Sequence, residues 1–243
     1  MTQDSVARAV GLDRSAIVHL EKGERNLRVP ELVRIAEVLG RPLSFFVDPP
    51  VAAVVSRRQA THTAHQSTGL LDADLAQFAG DVRTLAESGL IVPAGRPADA
   101  HVPRTVDQAE PAAERFRKSL WQGREPLPDL ARACERLGLF VFVAELTEGG
   151  PDGGCVEFDT RAGVAGAAVI NGDAEPGRRR MTLAHELGHW LFGDAFDVDA
   201  TLDTEKKINA FAIHFLAPRA GVRDVWAQHS AWSVRDRAPL CQP

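Results

Sequence analysis

The spacing of apolar residues divides the chain into a short helical segment, a polar middle and a longer mixed segment. Near the N-terminus, apolar positions recur at helical intervals over about 3–10, 14–22 and 30–39, separated by Gly11, Gly23 and Gly40. Asp13 is placed to cap the second helix, with Ser15 close by, and Pro30 falls in the first turn of the third. Residues 56–69 are polar and read as a flexible linker, in which His62 and His65 are solvated rather than metal-binding. A helical pattern returns over 73–88, capped by Asp72, with Leu75, Phe78, Ala79, Val82 and Leu85 on one face. Helices are predicted again near 108–121 and 128–137, and apolar runs at 139–144 and 164–170 predict strands, the second closed by a turn at Asn171 and Gly172.

Further on the pattern thickens. Met181, Leu183, Ala184, Leu187, Trp190, Leu191 and Phe192 make one segment apolar on several sides, as in a helix packed deep in a domain, and Gly193 supplies its stop. A last helix runs from Glu205 to a stop at Pro218. The expected fold is mostly α with a small β-sheet (α+β). Its expected parts are a small all-α domain at 1–48, a linker with one helix at 49–104, a main domain at 105–220 and a short tail at 221–243.

Composition narrows this little. The chain has 243 residues, 44% hydrophobic and 25% charged, which describes an ordinary soluble globular protein of one large or two small domains. It holds no run of about 18 apolar residues and no hydrophobic segment after the N-terminus, so the expectation is a cytoplasmic protein without a membrane partner. Cys134, Cys155 and Cys241 are odd in number and widely spaced, which fits reduced thiols and gives no thiolate metal site. A net charge of −5 gives no global pull towards nucleic acid, so any DNA contact must come from a local patch.

The candidate chemistry lies at His185-Glu186-Leu187-Gly188-His189, inside the deeply apolar segment. On a helix, positions i and i+4 share a face, so both imidazoles can ligate one divalent metal, and neutral imidazole suits zinc. Glu186 sits about 100° around the helix, beside the metal, where it can take a proton from water. Two histidines and a glutamate are poor choices for a buried helix unless they are paired, which favours the metal over structural histidines. A catalytic zinc usually has three protein ligands. Downstream candidates for the third are Asp194, Asp197, Asp199, Asp203, Glu205 and His214. Glu205 is preferred, because Ile208, Asn209, Ala212, Phe215 and Leu216 fall within about 80° of it and place it at the rim of the buried face. His214 lies about 180° away from Glu205.

The stretch 179–189, Arg-Arg-Met-Thr-Leu-Ala-His-Glu-Leu-Gly-His, followed by Glu205-x-x-Ile-Asn209-x-Phe-Ala and Leu216-Ala-Pro218, resembles the ImmA/IrrE family of metallopeptidases over about 105–220. The resemblance implies a zincin fold with His185, His189 and Glu205 on Zn2+ and Glu186 as general base. It also implies a regulatory endopeptidase that cleaves or inactivates a repressor- or antitoxin-like protein, in transcription regulation and stress response. The positions three and six residues after His189 hold Phe192 and Ala195, which excludes the third-histidine pattern of metzincins.

The N-terminal pattern Thr2-Gln3-x-x-x-Ala7-x-x-x-Gly11-Leu12-x-Arg14-Ser15-x-Ile17-x-x-Leu20-Glu21-x-Gly23, continued by Pro30 to Gly40 and Phe45-Phe46, resembles the XRE-type helix-turn-helix. By that resemblance residues 13–20 form the recognition helix, with Arg14, Ser15 and His19 facing the DNA groove. The Thr-Gln pair would lead the helix that meets the phosphate backbone. Members of that family carry a further helix before the Thr-Gln pair, so the module reads as N-terminally short. Seven basic residues here oppose seven acidic ones between Asp4 and Asp48, which argues for weak DNA binding or for a helical protein-binding module. A homodimer is compatible with either.

Two expectations complete the reading. Residues 164–171 are a candidate edge strand to hold substrate by strand addition, with plain core sheet as the alternative. The chain has no tyrosine, so an oxyanion donor must be a histidine such as His214 or His229, an arginine or a backbone N–H. The rivals to a peptidase are a non-enzymatic regulator whose zincin-like half senses a ligand or binds a partner, and a zinc amidase acting on a non-peptide bond.

Overall fold

A computed structural model of the protein describes residues 1–41, 43–47, 54–58, 68–98, 101–146, 150–193 and 202–229. The chain forms two compact units, Met1–Pro50 and Val51–Pro243.

The first unit is helical: α1 (Gln3–Val10), α2 (Arg14–Glu21), α3 (Val29–Leu39) and α4 (Ser44–Val47). Thr2 caps α1, its hydroxyl accepting from the Ser5 N–H while the Ser5 hydroxyl accepts from the Thr2 N–H, a reciprocal capping box. Gly11 and Gly40 end α1 and α3 in the left-handed conformation (φ 73° and 62°) that glycine adopts without strain. Asp13 stands at the N-cap of α2, but its carboxylate makes no capping hydrogen bond. At α3 that role passes to Glu31, which accepts from the Arg28 N–H at 3.1 Å and from the Arg25 guanidinium at 2.7 Å. The Arg28 backbone bond is the main cause that holds the Glu31 carboxyl below its usual pKa. Ala7, Val10, Ile17 and Ala36 form the buried centre, flanked by Val6, Leu12, Leu20, Ile35 and Val38.

The second unit is built on a four-stranded sheet in the order β1-β3-β4-β2, with β1 (Val54–Arg58), β2 (Leu139–Ala144), β3 (Gly153–Thr160) and β4 (Gly163–Asn171). β2 runs parallel to β4, and the other neighbours are antiparallel. β3 and β4 pair from Gly153 opposite Ile170 to Thr160 opposite Gly163. Alternate residues of these strands enter two separate cores. Cys155, Ala168 and Ile170 meet one set of helices, and Val156, Ala167 and Val169 meet another. A strand covered on both faces reads as a continuous apolar run, which is the pattern of β4.

Helix α5 (Thr68–Glu87) covers one face through Leu71, Leu75, Ala79 and Val82. The sequence placed the start of this helix at Asp72, but it begins a turn earlier and Asp72 lies inside it. Leu85, expected on the apolar face, is exposed. Residues 49–104, expected to be a linker with one helix, thus supply a strand and a covering helix to the second unit. The opposite face carries α6 (Ala109–Ser119), α7 (Leu130–Arg136), α8 (Pro176–Phe192) and α9 (Leu202–Leu216). Helix α10 (Arg219–His229) occupies part of the expected tail. His62 and His65 lie outside the described residues.

Two arginines tie loops to this framework. Arg117, buried on α6, donates to the carbonyls of Phe215 at 2.6 Å, Gly123 at 2.8 Å and Glu125. It thereby satisfies the end of α9 and folds the loop after α6. Arg96 donates to the Trp190 carbonyl at 2.6 Å, stacks on the Trp190 ring at 4.7 Å and pairs with Glu157. Arg96 thus satisfies a carbonyl in the last turn of α8.

Candidate metal centre

Helix α8 is buried from Thr182 to Phe192, and its position is set by packing on both sides. The Trp190 indole N–H donates to the Leu137 carbonyl at 2.7 Å, and its ring lies over Gly166, where a Cβ would come within 2.7 Å. On the other side Gly188 lets α9 approach, since a Cβ there would stand 3.1 Å from both Ile208 and Phe211. Close approach of α8 and α9 brings three side chains together.

His185 and His189 stand one turn apart with their Nε2 atoms 3.0 Å from each other. Glu205, in the first turn of α9, places Oε2 3.4 Å from His185 Nε2 and Oε1 3.5 Å from His189 Nε2. Zinc bonds to nitrogen and carboxylate oxygen of about 2.0–2.2 Å in a tetrahedron separate ligand atoms by roughly 3.3 Å, so this triangle fits a small divalent ion. Among the described residues, these three make the cluster of His, Cys, Asp or Glu able to hold a metal. Two donors are imidazole nitrogens and one is a carboxylate, a set suited to a borderline-soft cation. The imidazoles are 2% exposed, whereas the Glu205 side chain is 37% exposed.

The outer support is equally specific. His185 Nδ1 lies 3.1 Å from Asn209 Oδ1, one turn along α9 from Glu205. An amide oxygen only accepts, so Nδ1 carries the proton and Nε2 is left with its lone pair towards the cluster. In the sequence Asn209 stood only as part of a motif and of the helical face that it shares with Glu205. Nothing in its spacing showed that it would orient a ligand, because that needs the register between α8 and α9.

Glu186 is fully buried beside the histidines, and its backbone carbonyl accepts from the Cys155 thiol at 3.7 Å. The structure therefore brings His185, His189 and Glu205 together with Glu186 alongside. It does not bring in the other ligand candidates. Asp203 pairs with Lys207 at 3.1 Å, and His214 is half-buried on α9 outside the cluster. Asp194, Asp197 and Asp199 lie outside the described residues, as does the side chain of His229. Cys134 and Cys155 are buried and not in a disulfide, and burial pushes the Cys134 thiol far up, so neither is a ready nucleophile.

Residues 164–171, considered as a substrate-holding edge, form a central strand. β4 is hydrogen-bonded to β3 on one side and β2 on the other, which leaves it no free edge. The edge beside α8 belongs to β3 and is taken up by β1.

In the first unit Arg14, Ser15 and His19 lie exposed along α2. Arg14 has no ion-pair partner among the described residues, and His19 Nδ1 is 2.8 Å from Glu24. The Gln3 amide donates to Glu21 at 2.6 Å, an intramolecular bond at the place where a phosphate was expected.

Comparison with protein families agrees with this two-part organisation. Residues 1–46 match the family described as helix-turn-helix, and residues 134–236 match the family described as the IrrE N-terminal-like domain, a peptidase family. No curated protein matches the chain, and no solved structure does.

Proposed function

Starting from a chain that joins a helix-turn-helix domain to an IrrE N-terminal-like peptidase domain, we propose that it is a zinc-dependent regulatory endopeptidase. Its substrate class is a repressor- or antitoxin-like protein. The observation that carries the reading is the convergence of His185, His189 and Glu205 on one point, with Glu186 buried at its side.

His185, His189 and Glu205 would hold the ion, and when bound it would supply a Lewis acid that polarises a peptide carbonyl and makes water acidic near neutral pH. The chain's own groups do the rest. Glu186 removes the proton of the attacking water and returns a proton to the leaving amine. Asn209 keeps His185 in the tautomer that presents Nε2. Burial of Glu186 in an apolar helix keeps bulk water from competing for its proton. Arg14, Ser15 and His19 are the proposed DNA-facing side chains of the other unit, which would place the activity at a regulated promoter.

Glu186→Gln tests this reading, because it preserves shape and metal ligands while removing the base. The variant is expected to retain metal and to lose at least about 100-fold in cleavage. The measurement is a comparison of new protein N-termini in host cells carrying the wild-type or the variant chain. Identical N-termini in both, with the regulatory phenotype unchanged, would show a non-enzymatic regulator instead.

A further inference from the structure

The sheet edge nearest the metal site is occupied by the chain itself. β1 lies antiparallel to β3 over five residue pairs, from Val54 opposite Glu157 to Arg58 opposite Gly153. The centre of that pairing sets Ser56 opposite Cys155, the residue whose thiol donates to the Glu186 carbonyl. α8 packs on β3 and β4 and also touches β1, whereas the opposite sheet edge, β2, is packed by α7. The edge of β3 is therefore the one that passes beside Glu186.

The family match marks β1 as an addition. The residues matched to the IrrE N-terminal-like domain are 134–236, which include β2, β3, β4 and α8 but not Val54–Arg58. The strand on β3 thus comes from the stretch between the two matched domains. The site itself is mostly covered: His185 and His189 are 2% exposed and Glu186 is 0% exposed, and the cluster meets solvent through Glu205, whose side chain is 37% exposed. An extended peptide gains its backbone bonds by joining a free strand edge, and here the suitable edge is filled.

We propose that residues 54–58 are a self-inhibitory strand, seated on the β3 edge where an extended segment of a protein substrate docks. Substrate must displace this strand before its backbone can run past Glu186. The inference rests on the peptidase reading, in that it names how substrate reaches that site. A five-residue edge strand bonded on one side is a weak occupant, which suits an exchangeable one.

The test uses the full chain and a fluorescent synthetic peptide carrying its own residues 51–61, a probe known to fit the edge. Adjacent residues of an edge strand alternate in donating to their neighbour, so Val55→Pro with Ser56→Pro removes at least one bond to β3 whichever pair is hydrogen-bonded. Apparent affinity is lowered by the fraction of molecules whose edge is filled, so the variant is expected to bind the peptide at least about 10-fold more tightly than wild type. Equal binding by the two proteins, or added protection of 54–58 as the peptide binds, would overturn the proposal, because the peptide would then be joining the outside of β1. Amide exchange in the wild type gives a reading that does not depend on the variant folding. Amides of 54–58 are expected to exchange at least about 100-fold faster than those of β4, and equally slow exchange would mean that the strand does not leave. If neither protein cleaves any substrate while the binding gap persists, the peptidase reading fails and the edge assignment stands.

Discussion

A histidine offers a metal one nitrogen, and which one depends on what holds the other. Here Asn209 accepts from His185 Nδ1 at 3.1 Å and turns Nε2 towards Glu205 and His189. Asn209→Ala is expected to leave the fold intact and weaken metal affinity about 10- to 100-fold, as for other outer-shell partners. Competition with a coloured chelator measures it, and unchanged affinity would show that the tautomer is fixed by something else. His185, Glu186 and His189 were legible because a metal site on one helix demands a rigid local spacing, i and i+4 with the glutamate between. Glu205 was legible only as a preference among several candidates, from its place on the face of a second helix. Asn209 and Gly188 were not, because their roles depend on how α9 lies against α8. Sequence shows what one helix presents, and only packing shows what two present to each other.

At the scale of elements, ends and edges decide most of the outcome. Arg117 holds the last turn of α9 and the loop at 123–125 through three carbonyls. Burial lowers its pKa, yet a guanidinium stays charged, so the side chain works as a fixed triple donor. Arg117→Met leaves those carbonyls without it and is expected to cost about 3 kcal/mol or more in urea unfolding. In the helix-turn-helix unit, Glu31 has a folded pKa below its unfolded one. Its stabilising contribution is therefore present above the ordinary carboxylate range and lost as pH falls through the lowered value. Glu31→Gln is expected to be less stable than wild type at neutral pH, the difference closing on acidification. Thermal unfolding across pH checks this, and a gap that widens in acid would reverse the assignment. The strands show where pattern reading stops. β2 and β4 announced themselves as apolar runs, while β3, Gly-Gly-Cys-Val-Glu-Phe-Asp-Thr, mixes glycine and charge and gave no strand signal. Without β3 in view, β4 could be taken for an edge, and the helix over its far face could be taken for a linker.

For the whole molecule, the α+β class was expected and found, and the two resemblances read from the sequence agree with the family matches, helix-turn-helix over residues 1–46 and the IrrE N-terminal-like domain over residues 134–236. The division of labour within the second unit was not expected. Strand β1 and helix α5, from outside the family-matched segment, complete the sheet on one edge and one face. No helix among the described residues is long and apolar enough to cross a membrane. Everything functional then turns on whether the two imidazoles and the Glu205 carboxylate bind a metal as one centre. Metal content per chain, measured on protein purified without added metal, tests that most directly. The expected result is close to one zinc in the wild type and in Glu186→Gln, with loss in both His189→Ala and Glu205→Ala. A wild-type chain that takes up no metal even after reconstitution, or a Glu205→Ala chain that binds as tightly as wild type, would contradict the account.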